Sequence, residues 1–395
     1  MKRILFVEDD ALMRDIYEGL LSTESKDWEA VTTADGASAL KLMEQRPFDV
    51  VASDLRMDGM SGTELLTAVG NLYPLTARII ISGMDDQAEA ANALGSTHQF
   101  LVKPVKFDKL LGVLGRIHGL DAFLKGEKLK ALAGRMRTLP SFPLMYLKIM
   151  KAIEEPDSSM QEIRGLIIED PGLTAKILQI VNSVSFGLHE KVSDPLEGVQ
   201  QLGLNTVRSL ALSAHVFASY TASQKINFPI ETLWRHLMMC ASTAQAIMLM
   251  ERADNADVEA AYSAGMLHDI GKLMLADSLP EEFQQVLSGA ATRSAPFHEI
   301  EQEIFGATHA GLAAYLLGLW GLPAPIVEAV AFHHTPGNST HLKFGPLTAV
   351  HVANALEHEV DGDDPSLDEN YLAKIGVAAR LKHWREQVQK LREEG

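Results

Sequence analysis

The sequence predicts an α/β unit built on a parallel sheet, followed by an all-α unit. Three observations predict it. Short β-branched runs alternate with helix-spaced segments over residues 1–120. The alternation stops near residue 138. Beyond that point long apolar-periodic stretches are interrupted only by turn words such as "LPSFP", "EDPG" and "LPAP".

Taken in order, "RILFV", "DVVAS", "RIIIS" and "QFLV" read as strands, with "WEAVTTAD" a weaker one. "ALMRDIYEGLL", "GASALKLMEQR" and "GTELLTAVGNL" carry helical spacing between them. Leu110, Val113, Ile117, Leu120 and Leu124 continue that spacing, and Leu129, Leu132, Met136 and Leu139 resume it. This reads as a last helix to about residue 120, then a helical linker over 121–137. The competing reading is one long helix pairing with a second copy as a coiled coil. Gly112, Gly115, Gly119 and Gly126 weigh against it, because each weakens a helix interior. Residues 138–357 read as all-α, 358–369 as an acidic loop, and "LAKIGVAARLKHWREQVQKLREE" as one final amphipathic helix.

Composition narrows the function classes. Asp plus Glu number 52 against 35 Lys plus Arg, a net charge of −17, which repels a phosphate backbone. No basic patch or base-reading helix stands out, so nucleic acid is not an expected partner. No run of about 18 apolar residues is present, so no membrane span is expected. The start, "MKRILFVEDD", turns acidic too soon for a signal peptide. Cys240 is the only cysteine, so no internal disulfide forms, which fits a cytoplasmic protein.

One constellation lies at strand ends. Glu8 and Asp9 follow the first strand, Asp54 follows "FDVVAS", Ser82 follows "ARIII", and Lys103 follows "HQFLV". Ligands of parallel sheets bind beyond the carboxyl ends of the strands, so all five map to one crevice. Three carboxylates there suit Mg²⁺. Asp54 is then a nucleophile towards a phosphoryl group, with Lys103 and Ser82 as its phosphate contacts.

These residues resemble the receiver domain of two-component response regulators, through "ILFVEDD", "VVASDLRMDGMSG", "IIISG" and "FLVKP". The resemblance covers residues 1–120. It implies a doubly wound, five-stranded, flavodoxin-like sheet and Asp54 as phospho-acceptor. It implies Mg²⁺ held by Glu8, Asp9, Asp54 and the backbone carbonyl of Arg56. Ser82 and Phe100 would be the switch pair, and Lys103–Pro104 a cis bond. One departure is Asp58, where the family usually has proline.

A second constellation is rich in histidine. His236, His268, His309, His333 and His334 lie in apolar stretches expected to be helical, and "AGMLHDIGKL" reads as one buried helix carrying His268 and Asp269. Imidazoles with carboxylates suit Mn, Fe, Zn or Ni. Any one of these histidines alone is more simply a hydrogen-bonded core residue; the set with Asp269 reads as a metal site.

Residues 138–355 resemble the HDOD domain, a branch of the HD phosphohydrolase superfamily. The words are "LPSFP", "IIEDPGLTAKILQIVNS", "QLGLNTVRSLAL", "GMLHDIGKL", "HAGLAAYLLGLWGLP", "AFHHTP" and "VHVANAL". The resemblance implies an amino-terminal helical lobe over 138–224 and an HD-like subdomain over 225–357. It maps the metal positions to His236, His268, Asp269, His309, His333 and His334. Asn354 stands where a ligand Asp is usual, and the Gly-Tyr-Pro word of the cyclic-di-GMP-cleaving branch is absent.

Two readings stay open. In the first, a sensor histidine kinase or other phosphodonor phosphorylates Asp54, and the switch controls an HDOD domain that binds a protein partner without turnover. In the second, the same switch controls a divalent-metal phosphohydrolase acting on a nucleotide or other phosphoester. A homodimer is suggested only by the 110–124 spacing.

Overall fold

The computed structural model describes residues 1–24, 26–83, 96–123, 127–135, 163, 165–167, 199–200, 207, 226, 228–293, 295–361 and 367–393. Most of the expected lobe at 138–224, and part of the 121–137 linker, lie outside them.

The amino-terminal unit is a five-stranded parallel sheet in the order β2-β1-β3-β4-β5. Its strands are β1 (Lys2–Val7), β2 (Trp28–Thr33), β3 (Val50–Asp54), β4 (Ala77–Ser82) and β5 (Gln99–Val102). Val50–Asp54 and Ala77–Ser82 are buried along their whole length. Strands covered on both faces read as continuous apolar runs, which is why "VVAS" and "RIII" lack alternation. Helices α1 (Ala11–Glu24), α2 (Gly36–Gln45), α3 (Gly62–Leu72) and α4 (Phe107–Phe123) accompany the sheet. Asp35 caps α2 by accepting from the Ser38 N–H, and Ser61 with Glu64 forms a capping box on α3. Strand order reverses between β1 and β3, the switch point where such sheets bind ligands.

Leu110, Val113 and Ile117 on α4 are buried within the chain, so that part of the apolar spacing is already covered without a second copy. Helix α5 follows at Glu127–Arg135.

The carboxy-terminal unit is helical, and no strand occurs among its described residues. It contains α6 (Ile230–Met250), α7 (Asn255–Leu267), α8 (Ile270–Ser278), α9 (Pro280–Arg293) and α10 (Phe297–Ile304). After these come α11 (His309–Leu319), α12 (Ala324–Phe332), α13 (Pro346–Asp361), α14 (Glu369–Lys374) and α15 (Leu381–Glu393). Helices α6, α7, α12 and α13 pack on one another.

Three sequence expectations are corrected. "AGMLHDIGKL" is not one helix: α7 ends at Leu267 and α8 starts at Ile270, with Asp269 at φ −108°, ψ 3° between them. That bridge conformation turns the chain at the dipeptide and directs both side chains inward. The final segment is two helices, because Gly376 adopts φ +80°, a left-handed conformation that terminates α14. The acidic stretch begins inside a helix, since α13 runs on to Asp361.

Candidate functional site

At the carboxyl ends of β1 and β3, oxygens of Glu8, Asp9 and Asp54 lie within 4.8 Å of one another. Glu8 and Asp54 are 2% and 9% exposed, whereas Asp9 faces solvent. Lys103 follows β5, and its Nζ lies 2.6 Å from Asp54 Oδ2 and 2.8 Å from Glu8 Oε2. Burial pushes the Glu8 carboxyl up, with Lys103 opposing and Asp54 assisting. Burial alone would lower the Lys103 ammonium, and the bonds to Asp54 and Glu8 outweigh it, so its pKa is raised. The Lys103–Pro104 peptide is cis. Ser82 pairs in register with Val102, and the Lys103 N–H donates to the Ser82 carbonyl at 2.8 Å, which brings serine and lysine side by side. The Arg56 N–H donates to Asp54 Oδ1 at 3.4 Å. Phe100 lies on β5, one strand from Ser82. Arg14 donates to the carbonyls of Glu8 and Asp9, fixing the turn after β1.

The second centre gathers around Asp269, which is 1% exposed. Its Oδ1 lies 2.8 Å from His309 Nε2 and 3.6 Å from His333 Nε2. Its Oδ2 lies 3.6 Å from both His236 Nε2 and His268 Nε2, and 2.5 Å from Lys272 Nζ. His334 Nε2 stands 3.3 Å from His309 Nε2, and His236 Nε2 stands 3.1 Å from His268 Nε2.

Hydrogen bonds on the far side of each ring fix these imidazoles. His268 Nδ1 is 2.7 Å from the Gly265 carbonyl, and His333 Nδ1 is 2.9 Å from the Val330 carbonyl. A carbonyl only accepts, so Nδ1 carries the proton in both rings and Nε2 presents a lone pair to the centre. Burial holds both rings neutral, lowering His268 to about 3 and His333 to about 4. His309 Nδ1 is 2.6 Å from Glu301 Oε2, completing a carboxylate–imidazole–carboxylate chain. Burial would raise Asp269; Lys272 and the imidazoles outweigh it and hold its carboxyl well below the usual carboxylate range.

Local packing explains the glycines of "AGMLHDIGKL". A Cβ on Gly265 would stand 2.5 Å from Ala241 Cα, and one on Gly271 2.2 Å from the His309 carbonyl oxygen. Only glycine lets α7 approach α6, and α8 approach the start of α11, closely enough to converge these ligands.

A model of the response regulator receiver domain matches residues 4–114, and one of the HDOD domain matches residues 139–336. The chain belongs to the HDOD family. Its HDOD domain follows a receiver domain in one polypeptide. A Treponema pallidum protein described as uncharacterized is 28% identical over 236 residues, 60% of this chain and 45% of that one. The response regulator FleR of Pseudomonas aeruginosa is 31% identical over 128 residues, 32% of this chain and 26% of that one. The chain spans less than half the length of these curated relatives. An HDOD protein of unknown function from Geobacter sulfurreducens shares the fold, with a TM-score of 0.53 at 20% identity, covering 69% of this chain and 99% of that one. No helix among the described residues is long and apolar enough to cross a membrane.

The HDOD centre passes a chemical test for a divalent cation. His333 Nε2 and the Asn354 Oδ1 on α13 are buried without a hydrogen-bond partner, a costly arrangement unless an electrophile meets them. The receiver carboxylates form a hard all-oxygen set suited to Mg²⁺. Sequence reasoning missed Glu301, Lys272, Cys240, His298 and His351. Cys240 lies one helical turn after His236, with Sγ 3.6 Å from His236 Nε2 and 3.8 Å from Nδ1, over the ring. His298 stacks on His334 at 4.3 Å between ring centroids. His351 donates from Nδ1 to the His333 carbonyl at 2.7 Å and accepts from the Asp368 N–H at 2.9 Å. The i, i+3 and i, i+4 spacings of Lys272 and Cys240 were visible signals; the other three had none.

Proposed function

We propose that this chain is a response regulator whose Asp54 accepts a phosphoryl group and whose HDOD domain is the output. The observation that carries this reading is the Glu8–Asp9–Asp54 cluster with Lys103 bonded to Asp54. Asp54 Oδ attacks phosphorus while the bond to the donor's leaving group breaks, leaving an acyl phosphate. Lys103 exchanges its carboxylate contact for the phosphoryl oxygens, and Ser82 moves to hydrogen-bond them, drawing Phe100 with it. Mg²⁺, held by Glu8, Asp9, Asp54 and the Arg56 carbonyl, would neutralise charge on the incoming phosphoryl group. The natural donor is a sensor histidine kinase or another phosphodonor, and the output a cytoplasmic protein partner. Incubation with acetyl phosphate and Mg²⁺ should add one phosphoryl group by intact mass, and none to the Asp54→Asn variant. An unmodified wild-type chain would overturn the reading.

A second reading concerns the HDOD centre. The lone pairs of His268 and His333, the buried Asp269 carboxylate and the unpartnered Asn354 oxygen favour binding of Mn, Fe, Zn or Ni there. Phosphoester hydrolysis by that centre, with a nucleotide as one substrate class, is the further alternative. Asn354 weighs against it, since an amide brings no charge to a second cation. Metal analysis of protein purified without oxygen tests the binding; a phosphodiester screen of the loaded protein tests turnover.

A further inference from the structure

Asp269 is the carboxylate shared by both halves of the HDOD centre, and its two oxygens are not equivalent. Oδ1 faces His309 and His333, with His334 beside them; these four residues offer ligand atoms within 4.8 Å of one another. Oδ2 faces His236 and His268, but it also carries Lys272 Nζ at 2.5 Å. That lysine side chain is 13% exposed and its ammonium stands 5.2 Å from the Phe297 ring centroid. The cation is therefore enclosed in the centre, where solvent screens it poorly.

We propose that the HDOD centre binds one divalent cation, on the Oδ1 side, and that Lys272 is a tethered positive charge holding the place of a second. The inference rests on the reading of this centre as a metal site. A cation bridging His236, His268 and Oδ2 would share that oxygen with an ammonium, and like charges at such range repel strongly in a buried site. The charge count agrees. Asp269 is the one carboxylate touching both histidine pairs, and the residue on α13 is the neutral Asn354. Glu301 lies behind His309, on its Nδ1 side, and offers no oxygen to either histidine pair's ligand face, so at the centre itself one carboxylate with one ammonium leaves room for one ion, not two. The Oδ1 side keeps three imidazoles and a carboxylate oxygen, a donor set suited to Zn²⁺, Fe²⁺ or Mn²⁺. The Oδ2 side retains His236 and His268 with Cys240 beside them, donors that can take an ion once the ammonium is removed.

The test is an Mn²⁺ titration of the full chain, with saturating Mg²⁺ to fill the receiver, read by electron paramagnetic resonance and equilibrium dialysis. One uncoupled Mn²⁺ per chain at this centre is expected, lost in His309→Ala. Lys272→Met should bind a second ion and show the exchange-coupled signal of a pair. Circular dichroism confirms that each variant is folded. Two coupled ions in the wild-type chain would overturn the proposal, as would a single ion in both wild type and Lys272→Met. No ion at all would sink the metal reading itself along with it.

Discussion

The His309 imidazole is clamped between two carboxylates, with Nε2 2.8 Å from Asp269 Oδ1 and Nδ1 2.6 Å from Glu301 Oε2. Burial alone would strip its proton; Glu301 and Asp269 reverse that and hold its pKa above the ordinary 6.5. Glu301 thus orients the ring from behind, as outer-shell carboxylates do at metal–histidine sites. Glu301→Gln is expected to weaken metal affinity about 10–100-fold, measured by competition with a chelator. Unchanged affinity would show that the ring is held in place without Glu301.

Metal loading should also release a proton, because His309 must surrender one to become a ligand. Its raised pKa means that competition with protons strengthens as pH falls. Calorimetry in two buffers of different ionisation enthalpy reads the proton count directly. A binding enthalpy independent of buffer would contradict this account.

In the receiver, Lys103 neutralises a crowd of carboxylates. Lys103→Ala leaves Glu8 and Asp54 facing each other unpaired. The variant should be less stable without Mg²⁺ and regain stability as Mg²⁺ is added, by more than wild type does. Thermal melts across an Mg²⁺ series check this, and an equal response of the two proteins would refute it.

Two glycines make opposite predictions. Gly271→Ala drives a Cβ into the His309 backbone and should cost about 1–3 kcal/mol with loss of metal binding. Gly115, exposed within α4, has nothing within 4 Å of a new Cβ, so Gly115→Ala should stabilise by about 0.5–1 kcal/mol. Denaturant titration separates them.

His98 supplies a pH test in the receiver. Its Nδ1 accepts from the Arg78 N–H at 3.1 Å, and burial, aided by Arg78, holds its pKa well below 6.5. Below about pH 6.5 the unfolded chain binds a proton there and the folded chain does not. Stability is therefore present above that pH and falls as pH drops through it, by up to about 1.4 kcal/mol per pH unit. Hydrogen exchange of β4 amides between pH 7 and pH 5, corrected for intrinsic rates, should show this loss. His98→Asn should flatten it.

The sheet order was implied by likeness and its strands by local pattern, because a strand buried on both faces leaves an apolar run whatever surrounds it. The receiver cluster was legible for the same reason: strand ends are fixed by the pattern, and parallel strands put those ends together. The HD dipeptide was legible as chemistry but misread as helix. Its apolar neighbours carry no mark of the turn that His268 and Asp269 impose.

By itself the sequence determined two units, the carboxylate crevice at the strand ends and the membership of the histidine set, since each depends on short-range spacing or on motif words. Only the tertiary structure decided which imidazole nitrogen faces the centre, that Glu301 backs His309, and that Lys272 occupies one oxygen of Asp269. Those facts depend on helices brought together by packing, where a distance of one or two ångströms separates a ligand from a counter-charge.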